Sequence, residues 1–343
     1  MAMPIPSPIY REIPYPEEAL ALFRREGAAL RFPWRPPSPP SPVRLVEHAP
    51  PSAGPVFFLG DVHGDLLALL GVLAAIRSLA PGGGRIVFLG DVVDRGTDSL
   101  ACLQRISSCL SDPPFPVTFL LGDHEEALSW EREGGRLRSS VSHANFAEES
   151  MGLPGVREWG PALVEWLQGQ PRALFLPQGL FAAHGGVPQQ DLLPLLNSPQ
   201  SLELPQVQQD FLWNRLTDAR RKRPGRFGRG TEFGRENLRE FCQAAGGFLE
   251  ERPRLLLCGH QHPFPGWQWI VADEAEGMAA LCLATTFQRV PVPGESPWGV
   301  PCFARYLPPA PGERATGKDL AVFGMRPPGG GAEGPAEAGR ACP

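Results

Sequence analysis

The stretch FLGDVHGD, residues 58–65, leads from an apolar run directly into Asp61, His63 and Asp65. One interpretation is a tight turn between a strand and a helix, in which the two glycines supply unusual backbone angles and Asp65 caps the helix. The other is a metal site, because Asp61 and His63 lie two residues apart at the end of a strand and can bind one cation. Taken alone, the stretch favours the turn. The choice between the two interpretations therefore depends on the rest of the sequence.

Composition narrows the classes of function. The 343 residues carry a formal net charge of -5, without the basic surplus that a nucleic-acid-binding protein usually shows. No apolar run reaches the roughly 18 residues that a membrane helix needs, and the N-terminal residues do not resemble a secretory signal. The seven scattered cysteines form no C-x-x-C pair and are typical of reduced thiols. We therefore expect a cytoplasmic protein without nucleic-acid or membrane partners.

The chain divides into three zones. Residues 1–54 hold a short helical pattern followed by the proline-rich FPWRPPSPPSPVRL, which cannot pair inside a sheet. Residues 308–343 form a Pro/Gly-rich tail that we expect to be largely disordered at its end. The composition of residues 55–307 is that of a folded domain, and this zone is the predicted catalytic domain.

Within the central zone, short apolar runs alternate with helical patterns. The runs PVFFLG, RIVFLG, PVTFLLG, GLFAAHGG, RLLLCG, WQWIVA and MAALCLATT are bounded by Gly or Pro and predict buried strands. Helical patterns over 65–79, 99–110 and 236–245 intervene. This alternation predicts an α/β layered domain, in which functional sites are built at the ends of strands.

The first five predicted strands all end in polar clusters. These are GDVHG (60–64), GDVVDRG (90–96), GDHE (122–125), HGG (184–186) and GHQH (259–262), and they contain five of the seven histidines. A single cluster is compatible with a turn, but five successive strand ends carrying Asp and His favour a metal centre. The metal interpretation of residues 58–65 therefore prevails.

This ordered set of motifs resembles the calcineurin-like metallophosphoesterases, and more closely their phosphoprotein phosphatase superfamily, including bacterial-type serine/threonine protein phosphatases. The resemblance covers roughly residues 55–290, and RGTEFG (229–234) resembles the family's second phosphate-binding arginine block. It implies a central β-sandwich flanked by helices, with two metal ions held at the carboxyl ends of the strands.

The resemblance also assigns the metal ligands. Asp61 and His63 would bind the first metal, Asp91 would bridge both, and the second metal would take the remaining set: Asp123, His184 and His260. Two cations roughly 4 Å apart would activate a bridging hydroxide that attacks phosphorus. Mixed carboxylate and imidazole ligands suit manganese, iron or zinc better than calcium, and the sequence does not choose among the three. Manganese is our first choice, with iron or zinc as alternatives.

Four further residues receive roles from the same resemblance. Arg95 and Arg229 would hold the phosphate oxygens, since a planar guanidinium matches them bidentately. His124 would protonate the leaving alkoxide, and Asp94 would orient its imidazole ring.

Three departures from the family pattern stand out. The third motif normally reads GNHE, whereas this chain has Asp123 in place of the asparagine. The last motif offers a second histidine, His262, which in the wider phosphoesterase group joins the first metal; the alternative is a histidine outside the ligand set. The family's substrate-selecting loop after the last core strand has no clear match in ATTFQRVPVPGESPWG (284–299).

The sequence thus predicts a dinuclear metal-dependent phosphatase acting on phosphomonoesters, with phosphoserine and phosphothreonine in proteins as the first choice of substrate. The alternative within the superfamily is a dinucleoside polyphosphate hydrolase. A third hypothesis, invited by Asp123, is a phosphate-binding or scaffold protein without turnover. The expected partner is the phosphorylated protein or small phosphoester itself, and nothing in the sequence indicates a regulatory subunit.

Overall fold

The structure is a computed structural model that describes residues 6–27, 29–40, 44–48, 54–110, 115–141, 144–219, 223–224, 230–287, 299–310 and 312–328. Its α-helices are α1 (Glu17–Glu26), α2 (Leu66–Leu79), α3 (Ser99–Cys109), α4 (Asp123–Glu126), α5 (Phe146–Ser150), α6 (Val156–Gln168), α7 (Pro205–Trp213) and α8 (Arg235–Ala245). Its strands are β1 (Ile9–Ile13), β2 (Val46–His48), β3 (Val56–Leu59), β4 (Arg85–Phe88), β5 (Val117–Phe119), β6 (Leu128–Glu131), β7 (Arg136–Ser139), β8 (Ala173–Phe175), β9 (Leu180–Ala183), β10 (Arg215–Leu216), β11 (Arg223–Pro224), β12 (Thr231–Phe233), β13 (Leu255–Cys258), β14 (Trp267–Asp273), β15 (Met278–Leu283), β16 (Cys302–Tyr306) and β17 (Leu320–Met325).

Two six-stranded mixed sheets form the centre of the fold. Their strand orders are β1-β17-β16-β3-β4-β5 and β14-β15-β13-β9-β8-β2. Strands β3, β4 and β5 run parallel in the first sheet, as do β9, β13 and β15 in the second. Since the ends of parallel neighbours meet at one edge, this topology gathers the motif-bearing strand ends.

The two sheets pack face to face, and the pleat of each strand divides its side chains between two layers. In β3, Val56 and Phe58 lie in the cluster between the sheets, with Leu257 and Leu281 of the second sheet. Phe57, by contrast, belongs to the cluster under the helices. Alternate residues of one strand therefore serve opposite faces, as a period of two requires.

Helices cover both outer faces. Apolar side chains of α2, α3 and α6 share one cluster with the outer face of the first sheet, and α7 and α8 cover the second. Trp159 and Trp166 of α6 are both buried in this packing. Asp65 caps α2 by accepting a hydrogen bond from the backbone N–H of Ala68 at 3.0 Å, so the capping interpretation of this residue is correct.

The segments on either side of the central zone also supply strands. β1 lies within residues 1–54, and β17 lies within residues 308–343, between β1 and β16 in the first sheet. All six residues of β17 are buried. The first sheet is therefore completed by both flanking segments. Residues 329–343, where disorder is expected, lie outside the described residues.

The predicted fold class is confirmed: two mixed sheets form a sandwich flanked by helices. All seven strands and all three helices predicted in the central zone are present, with boundaries shifted by at most a few residues. Six cysteines in the described residues are buried free thiols. Throughout the described part of the chain, every helix is too short or too polar to cross a membrane.

Candidate metal centre

The strand ends bring seven predicted ligands into two groups. The ligating atoms within each group lie within 4.8 Å of one another. The first group is Asp61, His63 and His262, and the second is Asp91, Asp123, His184 and His260. The structure therefore places His262 with the first pair of predicted ligands, the position that the wider resemblance implied.

Asp91 lies between the two groups. One of its carboxylate oxygens, Oδ2, is 3.5 Å from His63 Nε2, and the other, Oδ1, is 3.4 Å from His184 Nε2. Oδ1 also accepts a hydrogen bond from the backbone N–H of His124 at 3.1 Å. A carboxylate with one oxygen toward each group is the arrangement that a bridging ligand requires.

Hydrogen bonds orient the imidazoles of both groups. His63 Nδ1 is 2.9 Å from the Val93 carbonyl oxygen, and His184 Nδ1 is 2.7 Å from that of Leu89. A backbone carbonyl at Nδ1 fixes the ring and leaves Nε2 directed toward the centre, as metal-binding histidines commonly show. These carbonyls are the hydrogen-bond partners that the sequence alone does not reveal.

The second group is joined through Asp123. Its Oδ1 atom is 3.0 Å from His184 Nε2 and 3.1 Å from His260 Nδ1. Asp123, from the third strand end, therefore contacts both His184 of the fourth and His260 of the fifth through a single carboxylate oxygen.

Unpartnered polar atoms show that these residues fit a metal centre. Asp61 Oδ2, His63 Nε2 and His260 Nε2 are buried, and none has a hydrogen-bond partner among the described residues. A buried carboxylate or imidazole without a partner is costly, and a bound cation removes that cost. Three nearly fully buried carboxylates (Asp61, Asp91 and Asp123) in one centre likewise call for compensating positive charge.

Burial and neighbouring charges shift the pKa values of these groups in different directions. Burial raises the pKa of Asp61 to about 6, and burial together with the nearby Asp123 raises that of Asp91 well above its usual range. Burial alone would raise the pKa of Asp123. The nearby His260 and His184 outweigh burial and hold this pKa well below its usual range. Burial lowers the pKa of His260 to about 4, which keeps the neutral imidazole that a metal ligand needs, whereas Asp91 and Asp123 outweigh burial and raise the pKa of His184 to about 10.

Backbone strain is concentrated at the same place. Among the described residues, seven other than glycine have a positive φ, and six of these belong to the motifs: His63, Asp91, Asp94, Arg95, His260 and His262. Left-handed backbone is unfavourable for such residues and persists only where the surrounding structure enforces it. The strain thus marks the strand-end loops as a functional centre.

His124 and Asp94 form a pair beside the first group. Their Nδ1 and Oδ2 atoms are 2.7 Å apart, and the His124 ring meets the His63 ring edge-on at 4.9 Å between centroids. Burial lowers the pKa of His124, but Asp91 and Asp94 raise it more, to about 9. The pair favours an imidazolium that can donate a proton at neutral pH.

The two predicted phosphate-binding arginines differ in what the structure describes. Arg95 lies at the first group, with its Nη1 atom 2.7 Å from His262 Nε2 and its backbone N–H donating to Asn145 Oδ1 at 2.6 Å. Arg229 lies outside the described residues.

Sequence reasoning missed Glu125, although it is the last residue of the quoted motif GDHE. Its fully buried carboxylate accepts four backbone N–H bonds of 2.8–3.1 Å. The donors are Asp91, Val92, Val93 and Gly122. Burial raises the pKa of Glu125, and the bonds from Val93 and Val92 oppose that rise. Glu125 thereby holds the second strand-end loop against the third.

The fold and this centre are those of a metal-dependent phosphoesterase. The family model of the calcineurin-like phosphoesterases matches residues 54–264, so this chain belongs to that family. All the predicted ligands lie within the matched residues.

Curated relatives include two kinds of enzyme. A symmetrical bis(5'-nucleosyl)-tetraphosphatase from Ralstonia nicotianae is 30% identical over 159 residues, covering 46% of this chain and 48% of the relative. The catalytic subunit of serine/threonine-protein phosphatase 6 from Caenorhabditis elegans is 26% identical over 176 residues, covering 50% and 49%. The chain thus spans about half the length of the curated relatives it matches.

Among solved structures, a protein serine/threonine phosphatase from Saccharomyces cerevisiae shares the fold. It aligns with a TM-score of 0.54 at 16% identity, covering 89% of this chain and 86% of the yeast chain. This similarity supports the fold assignment alone.

Proposed function

We propose that the protein hydrolyses phosphomonoesters, with phosphoserine and phosphothreonine in proteins as its substrates, and that it uses two divalent cations, manganese first. The observation that carries this proposal is the 2.7 Å contact between His124 and Asp94 beside the metal centre. A serine or threonine alkoxide is a strongly basic leaving group, so its departure needs a proton donor.

Different residues would have different roles in hydrolysis. Asp61, His63 and His262 would hold one cation, and Asp123, His184 and His260 would hold the other, with Asp91 shared. The cations supply Lewis-acid polarisation of the phosphoryl group and a lowered pKa of bound water. Asp94 keeps the His124 ring in one orientation, and His124 delivers its proton to the leaving oxygen. Arg95 and Arg229 would bind the non-bridging phosphoryl oxygens.

Hydrolysis of dinucleoside polyphosphates is the second candidate. It is favoured by the symmetrical bis(5'-nucleosyl)-tetraphosphatases, of which one from Shewanella baltica is 32% identical over 155 residues. Cleavage of a phosphoanhydride releases a weakly basic phosphate oxygen, for which a proton donor matters less.

Rates measured on two substrates distinguish the two candidate functions. Purified, manganese-loaded protein is assayed for kcat/KM on a phosphoserine peptide and on diadenosine tetraphosphate, in the wild type and in His124→Ala. We expect the peptide to be the better substrate and to lose much more rate in the variant. A kcat/KM at least tenfold higher on diadenosine tetraphosphate would replace the first candidate with the second, and no turnover of either would favour a scaffold.

A further inference from the structure

A cavity of about 570 Å³ lies between α1, α2 and α3. Helix α1 contributes Leu22 and Arg25 to its lining, and α2 contributes Leu70, Ala74 and Arg77. Within each helix these residues are three or four positions apart, so they share one helical face. The interhelical cavity, as we call the space between these side chains and α3, is therefore built from matching faces of neighbouring helices.

The interhelical cavity is separate from the metal centre. Each described residue that lines it belongs to α1, α2 or α3. Helix α2 begins at Leu66, directly after the capping residue Asp65, and Arg77 lies in its last turn. At 1.5 Å per residue, Arg77 is about 17 Å along the helix axis from the loop that carries Asp61 and His63. A ligand in this cavity would therefore not contact the metal-binding residues.

The lining of the interhelical cavity is positively charged. Each of the three helices contributes one guanidinium group, from Arg25, Arg77 and Arg105, and Glu18 alone is acidic among the described lining residues. The chain as a whole has a formal net charge of -5, so this concentration of positive charge is a local feature. Like charges around a concave surface attract ions of the opposite sign. The cavity therefore favours an anion.

Arg105 is the arginine that helix ends do not explain. Arg25 and Arg77 lie in the last turns of α1 and α2, where a positive charge is favourable beside the carbonyl end of a helix. Arg105 lies before the last turn of α3. Its Nε atom is buried and has no hydrogen-bond partner among the described residues. A buried donor without an acceptor is costly, and an oxyanion in the cavity would supply the acceptor.

One side of the cavity is apolar. Ala19 and Leu70 are buried, and Leu22 and Ala74 are half-buried against the core cluster under the helices. A ligand that places only its charge among the arginines would leave this surface in contact with water. The lining thus suits a molecule with an anionic group and an apolar body.

Hydrogen bonds hold both flanks of α1 against the neighbouring helices. Before α1, the Tyr15 hydroxyl donates to the Leu67 carbonyl of α2 at 2.6 Å. After α1, the Arg31 N–H donates to Gln104 Oε1 of α3 at 3.2 Å, and Gln104 Nε2 donates back to the Arg31 carbonyl at 3.1 Å. The walls of the cavity are therefore fixed before a ligand arrives, which lowers the cost of binding.

We propose that the interhelical cavity binds a small phosphorylated molecule with an apolar body. Arg25, Arg77 and Arg105 bind the phosphate oxygens, since planar guanidinium groups match them and three positive charges suit a dianion. The apolar body lies against Leu70 and Ala74. The volume is within the roughly 300–1,000 Å³ that small-molecule sites occupy.

Phenylphosphonate is the probe, because its phosphorus–carbon bond is not a phosphoester. The manganese-loaded full chain is titrated calorimetrically with phenylphosphonate, inorganic phosphate and benzoate. A binding event at the cavity should weaken about ten- to hundredfold in Arg105→Gln, through loss of a charge-assisted hydrogen bond. The same event should be about tenfold weaker for inorganic phosphate, which lacks the ring, and weaker still for benzoate, which carries a single charge.

Further variants separate charge, shape and location. Arg105→Lys keeps the charge but loses the planar fork, so we expect an intermediate loss of affinity. Ala74→Phe fills the apolar side and should weaken phenylphosphonate more than inorganic phosphate. Arg95→Gln changes the metal centre and should leave the cavity event within twofold of the wild type. The matched control is Arg138→Gln in the hairpin β6–β7, whose exposed side chain is paired with Glu131.

Melting temperatures recorded for each variant show that it is folded, and Arg105→Lys with Ala74→Phe decides the matter if Arg105→Gln is not. A wild type without a binding event that survives Arg95→Gln would overturn the proposal. So would affinity within twofold of the wild type in Arg105→Gln, or benzoate binding as tightly as phenylphosphonate. Hydrolysis plays no part in these titrations, so this proposal and the proposed function fail separately.

Discussion

Replacing Glu125 by glutamine should destabilise the protein far more than an isosteric change of one atom suggests. The carboxylate accepts N–H bonds from Asp91 and Gly122 at Oε2, and from Val92 and Val93 at Oε1. Four donors at 2.8–3.1 Å match an ionised carboxylate, which only accepts hydrogen bonds. In glutamine, one oxygen still accepts hydrogen bonds, but an NH₂ group replaces the other oxygen and faces two of the backbone N–H donors.

The size of the effect follows from those two donors. A buried N–H left without an acceptor costs about 1–3 kcal/mol, so Glu125→Gln should lose about 2–6 kcal/mol of the free energy of unfolding. The whole free energy of unfolding of a folded domain is only about 5–15 kcal/mol. At roughly 2–4 °C per kcal/mol, the expected fall in melting temperature is about 10 °C.

Thermal melting of metal-free protein, followed by circular dichroism, measures this loss without interference from bound cations. The matched control is Glu126→Gln, one residue along and half-buried, which should melt within about 1 °C of the wild type because surface substitutions rarely change stability by more than 0.5 kcal/mol. If Glu125→Gln also melts within about 1 °C of the wild type, Glu125 does not hold the two loops together through its charge.

Three other substitutions test the centre and the fold. Asp91→Asn should lower the bound metal measured by mass spectrometry and remove nearly all activity, since a carboxylate shared by both groups is lost; full metal content with normal turnover would contradict a shared site. His124→Ala should slow an alkyl phosphate far more than nitrophenyl phosphate, because nitrophenolate leaves without a proton; equal losses would assign His124 another role. Burial raises the pKa of Asp210 from 3.8 to about 6, so its ionisation destabilises the folded state progressively as pH rises through that window. Asp210→Asn should therefore remove roughly 2–3 kcal/mol of the stability loss that the wild type shows between pH 4 and pH 7.5; the same pH dependence of melting in both proteins would refute the shift.

Much of the centre is predictable from the sequence because its ligands directly follow local signals. An apolar run bounded by glycine identifies a buried strand, and a polar cluster after it identifies the strand end. Parallel strands bring such ends to one edge, so Asp61, Asp91 and Asp123 are expected together before any coordinates are known. Their grouping into two sets about a shared Asp91 agrees with that expectation.

Other features depend on contacts between distant residues and have no local signal. β17 lies in a segment whose composition is that of a tail, and it is a strand because β1 and β16 pair with it on either side. Glu125 is an ordinary acid in the sequence, and its role depends on backbone donors up to 34 residues away. The backbone of Leu216 is fixed beside the loop of His260 and His262 by hydrogen bonds with Gln261, 45 residues later. The local pattern determined the strands and the ligand types, while long-range packing decided which other residues serve the centre, since their positions depend on the tertiary contacts around them.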